Sequence, residues 1–304
     1  MRPDPRIGVV MPTLDRPGAL TRALGALARQ TIDSAAFEVV VVADAASTEA
    51  PEPGDQPYAV RVIRAQRPGA SAARNAGWRA TRAALVLFTG DDIVASPRLL
   101  AEHLAWHERA PEDEMGVLGL VEWAKSLRRD SFMTWLDAGI QFDYGTIAAI
   151  DAGPGQFYTA NVSLKRAMLA RVGGFDQERF PFLYEDIDLG LRLFEHGFRL
   201  LFNRDASAEH VHQPRVEEWR ERMRLVASAE RRWVERHPGQ RAYFHDLFAD
   251  ALARPPARGR GRPLVRLIPR GVPLLGPRVW ASNDLYYRQL LADAFMAGWD
   301  SAPD

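Results

Sequence analysis

Cysteine is absent from the 304 residues, which excludes disulfides and thiolate chemistry and suits a cytoplasmic setting. Long apolar runs are absent too: none approaches the ~20 residues needed to span a bilayer. Residues 1–6 are polar and punctuated by proline, without the apolar stretch of a secretory leader. Charge of one sign does not dominate. With 39 basic residues against 39 acidic there is no global field, and composition gives no case for a nucleic-acid partner. Lysine is scarce, with Lys125 and Lys165 alone beside many arginines, a bias that genomic base composition explains as readily as function. The expectation is a soluble, cytoplasmic protein, at most peripheral at the inner face of a membrane.

What is present is the ordinary stuff of a globular chain. A hydrophobic content of 47% and a charged content of 26% suffice for the core of one large domain, or of a domain with an extension. The first half alternates short apolar runs with helical patterns. Buried strands are predicted at 7–11, 37–42, 60–63 and 84–88, and helices at 18–30, 70–82 and from Pro97 to about residue 109. This rhythm predicts an α/β fold: a mainly parallel central sheet with helices on both faces. A strand is predicted at 115–123 and an amphipathic segment at 132–139. A second block follows, with strands at 157–164 and 199–202 and helices at 166–172 and 187–196. Beyond Pro214 the chain turns helical and charged (217–236, 241–252), then rich in Pro, Gly and Arg (254–278), and closes on a helix at 283–299. The division expected is a nucleotide-binding half (1–115) and an acceptor half (116–215) of one domain (1–215), then a helical extension (216–304).

Parallel sheets bind ligands beyond the carboxyl ends of their strands, and three groups of acids fall there. Asp44 follows the second strand, Asp91-Asp92 follow the fourth, and Glu185-Asp186-Ile187-Asp188 open a helix after the turn Gly173-Gly174-Phe175-Asp176. Taken singly, each is a turn former or a helix-dipole partner. Together on one rim they repel one another, and a hard divalent cation with oxygen ligands is the usual remedy.

At this point the sequence resembles the GT-A fold glycosyltransferases of family 2, which are inverting enzymes that use nucleotide sugars. Five stretches carry the likeness over roughly 6–215. Val9-Val10-Met11-Pro12-Thr13-Leu14-Asp15-Arg16 is similar to the family's opening strand and turn. Val40-Val41-Val42-Ala43-Asp44 is similar to its Asp-Asp strand end, and Ala73-Arg74-Asn75-Ala76-Gly77 to its Ala-Arg-Asn-x-Gly helix. Gly90-Asp91-Asp92 stands at its Asp-x-Asp, and Gly173 to Arg192 at its second signature. Two first acids are missing, since Ala43 and Gly90 stand in their places, and this implies a weakened rather than an abolished site.

The resemblance implies roles. Asp44 would accept the imino N–H of a uracil or thymine base, with Pro12, Thr13 and Asp15 lining the nucleoside pocket, Arg74 reaching the nucleotide and Asp91 bonding the ribose region. Asp92 would ligate Mn²⁺ or Mg²⁺ on the diphosphate, helped by His210. Asp186 would be the general base, with Glu185 orienting the acceptor and Asp188 structural. Asn161, Trp123 and His212 are weaker candidates for sugar or acceptor contacts. The acceptor expected is a carbohydrate, a lipid-linked molecule or a small molecule, in polysaccharide or glycoconjugate biosynthesis. Arginines and leucines of the arm at 258–278 suit an anionic membrane surface, although its prolines forbid a continuous amphipathic helix.

Rival readings have less to stand on. A nicotinamide dehydrogenase would carry G-x-G-x-x-G after its first strand, and a sugar nucleotidyltransferase a glycine-rich basic loop there; this chain has Pro12-Thr13-Leu14-Asp15-Arg16 instead. A degenerate homologue that binds nucleotide without transferring sugar fits the loss of acids at 43 and 90.

Overall fold

The computed structural model describes residues 4–147, 149–257, 264, 267–268 and 275–301. The apolar runs of the first half form four strands: β1 (Ile7–Thr13), β2 (Phe37–Ala43), β3 (Ala59–Arg64) and β4 (Leu85–Thr89). Every residue of β2 and β4 is buried, as strands covered on both faces must be. The intervening helices are α1 (Pro17–Leu27) and α2 (Ala70–Ala80). Pro17 opens α1, where its missing N–H costs nothing. Gly77 lets α2 lie directly on the sheet, since a Cβ there would come within 2.3 Å of Val10 Cγ1.

The rest of the sheet is built from β5 (Ile93–Ala95), β6 (Met115–Trp123), β7 (Asp151–Ala152), β8 (Asn161–Lys165) and β9 (Arg199–His210). Three helices accompany it: α3 (Leu99–Arg109), α5 (Arg166–Val172) and α6 (Glu185–Glu195), α4 (Ser131–Leu136) lying between β6 and β7 in the chain. The strand order is β3-β2-β1-β4-β8-β6-β9-β5, with β7 also on β9. The half β3-β2-β1-β4 is parallel throughout. β8 enters antiparallel to β4 and β6, and β5 and β7 run antiparallel to β9, while β6 and β9 are parallel.

Of the elements whose extent differs from the sequence pattern, three bear on the rim. α6 begins at Glu185, so its acids lie in the first helical turn. β8 begins only at Asn161, after a turn. β9 runs on to His210, because pairing to β5 and β6 carries the polar stretch 207–210 as strand. Within β9 the register slips: Gly119 pairs with Asn203 and Leu120 with Ser207, leaving Arg204, Asp205 and Ala206 unpaired on β6.

Two compact units result, one up to Leu127 with Thr146–His212, the other Arg128–Gly145 with the chain from Gln213. The first holds the sheet. Beneath β8 a polar cluster is buried in it: His103 bonds Ser163 at 2.8 Å and Asn161 at 2.9 Å, and His107 bonds the same Ser163 at 2.9 Å. Burial lowers His103 to about 4 and His107 to about 3, so both are neutral at physiological pH. The second unit holds α4, α7 (Val216–Arg236), α8 (Tyr243–Leu252) and α9 (Leu275–Asp300). Its core includes Phe132, Trp135, Trp219 and Tyr287. Glu230, fully buried, caps α8 by accepting the Phe244 and His245 amides at 2.8 Å each. Most of the arm expected to face a membrane (258–278) lies outside the described residues; its last residues, 275–278, open α9. Among the described residues no helix is long and apolar enough to cross a membrane.

One buried charge ties β2 to the end of α2. Glu38, 1% exposed, accepts from the Thr81 hydroxyl at 2.8 Å, the Arg82 amide at 2.5 Å and Arg61 at 3.2 Å. Burial pushes its carboxyl up, but those donors outweigh it and hold the pKa below the ordinary glutamate value. A depressed folded pKa contributes stability above about pH 4.5 that is lost as the pH falls through the folded value. Glu38→Ala should therefore lower unfolding free energy at pH 7 by about 3 kcal/mol, since it strands the partners of a buried charge. In urea titrations the gap to wild type should narrow as the pH falls below about 4.5. A gap that does not move with pH would assign the residue to packing alone.

Candidate active site

The rim begins where β1 and β2 end. Asp44, the first residue after β2, is 8% exposed. Its Oδ1 accepts the Ala46 amide at 2.8 Å and its Oδ2 the Gly69 amide at 2.7 Å. A carboxylate has about four acceptor positions, so these bonds orient Asp44 without exhausting it. Asp15, in the left-handed region at φ 50, receives the Thr48 amide at 3.0 Å and its hydroxyl at 2.9 Å. Those Thr48 bonds hold its carboxyl below the usual range. Asp15 thus clamps the loop after β2 to the end of β1, and Arg64 braces that loop through the Ser47 carbonyl at 2.8 Å. Beside it opens a cleft of about 460 Å³, lined by Thr13, Asp15, Arg16, Pro17, Leu20 and residues 49–52, a size suited to a small-molecule ligand. Pro12, half-buried, is held in β1 opposite Val42.

The second group gathers where β4 ends. The Thr13 hydroxyl donates to Asp91 Oδ2 at 2.7 Å. The register of β5 on β9 places Ile93 opposite His210, which brings His210 Nε2 to 3.4 Å from Asp92 Oδ2. Arg16 Nη1 lies 3.0 Å from the same Asp92 oxygen and 3.4 Å from Asp91 Oδ1. The indole of Trp123 stacks on the His210 ring, centroids 5.0 Å apart and planes 14° from parallel. His210 Nδ1 is buried without a hydrogen-bond partner.

These neighbours split the two acids. Burial raises Asp91 above its ordinary value, and the Asp92 charge adds to this against Thr13 and Arg16. Asp92 is part-buried and pays a desolvation cost too, but His210 and Arg16 outweigh it and bring the carboxyl down to about 2. It is a full anion at physiological pH. Among the described residues no three His, Asp or Glu side chains converge on one point. A cation here would have Asp92 and His210 as protein donors and would need the rest from phosphate oxygens and water, an arrangement common for Mg²⁺ beside a nucleotide and a donor set that suits Mn²⁺. The residues present fit such an ion.

The third group is held by α2. Arg74 pairs with Glu185 Oε1 at 2.7 Å, both side chains nearly buried, and its guanidinium lies 5.7 Å over the Phe175 ring. Arg74, expected to reach a nucleotide, is thus engaged with the acid at the start of α6. Asn75 accepts the Phe175 amide at 3.0 Å and donates to the Phe175 carbonyl at 2.9 Å. Ser71 bonds the Pro181 and Phe180 carbonyls through its amide and hydroxyl. Gly69, at φ +110, passes so close to Pro181 that a Cβ would meet its carbonyl oxygen at 2.5 Å. Just before the acids, Leu183 and Tyr184 both adopt left-handed backbone, φ 65 and 61. Such conformations cost non-glycine residues about 1–3 kcal/mol each and cluster where geometry is imposed.

Asp186, part-buried, follows on the first turn of α6, one oxygen accepting the Ile187 amide at 2.9 Å. Desolvation is the main force on its carboxyl, the Glu185 charge adds to it and Arg74 opposes; the result is a rise to about 7. Asp188 turns away, bonded to Arg192 at 2.8 Å.

Three expected ligand contacts find other surroundings. Asn161 is 1% exposed, and its amide is spent on His103 and on the Leu120 and Ala206 carbonyls. The reason is its place mid-sheet between β4 and β6, which buries both faces. Trp123, 8% exposed, lies against His210 rather than open to a sugar. His212 is exposed beyond the end of β9, its ring 6.2 Å from that of His210. Arg16, Ser71 and Asn75 stand within or beside the motifs, but their partners lie far along the chain, so no local spacing marks them for a role.

The glycosyltransferase like family 2 profile matches residues 5–235. Two validoxylamine A glucosyltransferases, from Streptomyces hygroscopicus subsp. limoneus and subsp. jinggangensis, are each 29% identical over 275 aligned residues. The alignments cover 77% of this chain but 57% and 61% of those proteins, so the chain spans little more than half their length. Among solved structures, the mannosyltransferase PcManGT of Pyrobaculum calidifontis in complex with GDP-Man and Mn²⁺ superposes with a TM-score of 0.63 at 18% identity, covering 98% of this chain and 88% of that one. S. aureus TarS 1–349 in complex with UDP gives 0.51 at 17%, covering 97% and 90%. At these identities the likeness is one of fold, the GT-A arrangement of a central sheet between helices. The profile covers most of the chain, and this protein belongs to glycosyltransferase like family 2.

Proposed function

We propose that the protein transfers a sugar from a nucleotide-diphosphate donor to an acceptor hydroxyl with inversion at the anomeric carbon. The observation that carries this reading is the opposed tuning of two carboxyls on one rim, Asp92 held at about 2 and Asp186 raised to about 7. Titratable groups pushed apart in this way divide the labour of acid–base chemistry. Asp92 stays an anion for cation and diphosphate binding. Asp186 exchanges a proton near neutral pH, where a general base works best.

In this reading Asp44 and the cleft beside Asp15 receive the base and nucleoside, and Asp91 the ribose region. The ligands bound in solved structures of similar fold, UDP, UDP-GlcNAc and GDP-Man, support a nucleotide-sugar donor; a UDP- or dTDP-sugar suits the hydrogen-bond acceptor role given to Asp44. The Mn²⁺ in the PcManGT complex supports a divalent ion on Asp92 and His210, which when bound would supply positive charge to the leaving diphosphate. Asp186 takes the acceptor's proton as the acceptor oxygen bonds to the anomeric carbon. The bond from that carbon to the phosphate oxygen breaks, and its electron pair leaves with the diphosphate. Arg74 holds Glu185 in place, and Glu185 keeps the Asp186 proton affinity high. Residues 1–115 form the donor half, 116–215 the acceptor half and 216–304 a helical extension.

Calorimetry with UDP, dTDP and GDP, each with and without Mn²⁺, tests the binding reading. At least one should bind, and more tightly with metal; no binding by any of the three sinks it. Asp186→Asn should leave that binding unchanged while transfer falls about a hundredfold to ten-thousandfold. Retained turnover would remove Asp186 as the base.

The same substitution has a stability signature. A carboxyl raised from 3.8 to about 7 on folding contributes stability that is complete below the unfolded value and lost as pH rises through about 7. Asp186→Asn should therefore melt like wild type at about pH 4 and be more stable by about 2 kcal/mol at about pH 8. A variant no more stable at high pH would show that the wild-type carboxyl is not desolvated.

A further inference from the structure

Asp92 Oδ2 is contested. His210 Nε2 lies 3.4 Å from it and Arg16 Nη1 3.0 Å, and Arg16 also reaches Asp91 Oδ1 at 3.4 Å. The guanidinium therefore bridges the two acids at the point where the reading above puts a divalent cation. Its side chain is 53% exposed, against 7% for Asp91 and 24% for Asp92. The acids are fixed and the arginine is free to leave. Nothing else holds it: its only hydrogen bonds from the side chain are those to Asp91 and Asp92 among the described residues. At the position before the pair, Gly90 supplies no charge, and a Cβ there would approach Asp92 Oδ1 to 2.8 Å. The local balance is thus two carboxylates against one permanent monovalent cation.

We propose that Arg16 is a built-in cation that competes with the divalent ion for Asp92 and passes to the diphosphate when metal and nucleotide bind. The inference rests on the nucleotide-sugar reading above. A guanidinium and a divalent ion on one carboxylate oxygen repel each other at close range, so metal entry displaces Arg16. A displaced guanidinium finds its best partner in the phosphate oxygens arriving beside it, because its planar fork matches them bidentately. Arg16 itself lines the cleft beside Thr13 and Asp15, so its guanidinium stands at the edge of the space the nucleotide would fill. Metal alone then binds weakly, and metal and nucleotide bind cooperatively, each relieving a cost borne by the other.

The test is Mn²⁺ binding, followed by electron paramagnetic resonance and calorimetry, for wild type, Arg16→Ala and Arg16→Lys. Each is measured without nucleotide and with UDP, or with dTDP or GDP if wild type prefers one of those. Circular dichroism and melting curves establish that the variants are folded. Without nucleotide, Arg16→Ala should bind Mn²⁺ about tenfold more tightly than wild type, with Arg16→Lys between them. In saturating Mn²⁺, Arg16→Ala should bind the nucleotide about tenfold more weakly, and the cooperativity between the two ligands should shrink. Unchanged or weaker Mn²⁺ binding by folded Arg16→Ala overturns the competition. Unchanged nucleotide affinity overturns the transfer to the diphosphate. If wild type takes up neither Mn²⁺ nor any of the three nucleotides, the nucleotide-sugar reading itself has failed and this proposal falls with it.

Discussion

The pairing of Arg74 with Glu185 is the contact on which the rim depends. It joins the helix after the third strand to a helix start more than a hundred residues later, and it does so nearly out of water. A buried pair of this kind contributes little net stability, but losing one partner strands a charge, so the two helices are held to one relative placement. Everything else between them reinforces that placement. Asn75 fixes the turn at Phe175, Ser71 fixes the chain at Phe180 and Pro181, and Gly69 joins the same clamp to Asp44 through its amide. The residue that faces the end of β2 and the residues that open α6 are thus positioned by successive turns of one helix.

The electrostatics follow from that frame. Three kinds of carboxyl stand on the rim, and their differences come from neighbours rather than residue type. Asp44 is oriented by backbone amides. Asp92 is held ionised by a cation and an imidazole, and Asp186 is driven toward neutrality by desolvation and an adjacent acid. Identical side chains, set among different neighbours, are suited to different chemical work.

Much of this was legible in the sequence, and what was not has a physical reason. The four apolar runs of the first half and the acids at the strand ends announce both the fold and the rim, because burial on both faces and strand-end chemistry leave a local pattern. The extension of β9 to His210 was not legible: residues 207–210 are polar, and only pairing with strands on either side makes them strand. Asn161 and Trp123 read as ligand contacts because they are polar or aromatic and near the rim. Which way a side chain points in a sheet depends on register, and register is a property of the partner strand. Arg16 lay in plain sight within a motif, yet its partners are about 75 residues away and no local spacing could reveal them.

The slip in β9 also separates chain length from side-chain placement at the rim. Arg204, Asp205 and Ala206 form an excursion between two stretches of regular pairing with β6, pinned by Asn161 to the Ala206 carbonyl and by Asn203 to the Asp205 amide. Four steps along β9 answer one step along β6 there, so the alternation of faces is broken at the excursion and is set afresh beyond it. His210 meets Asp92 and the Trp123 indole because Ile93 and Trp123 stand opposite it in two ladders, not because of the number of residues before it. The excursion is therefore a point at which spare length is stored, with the direction of the imidazole decided by the strands on either side.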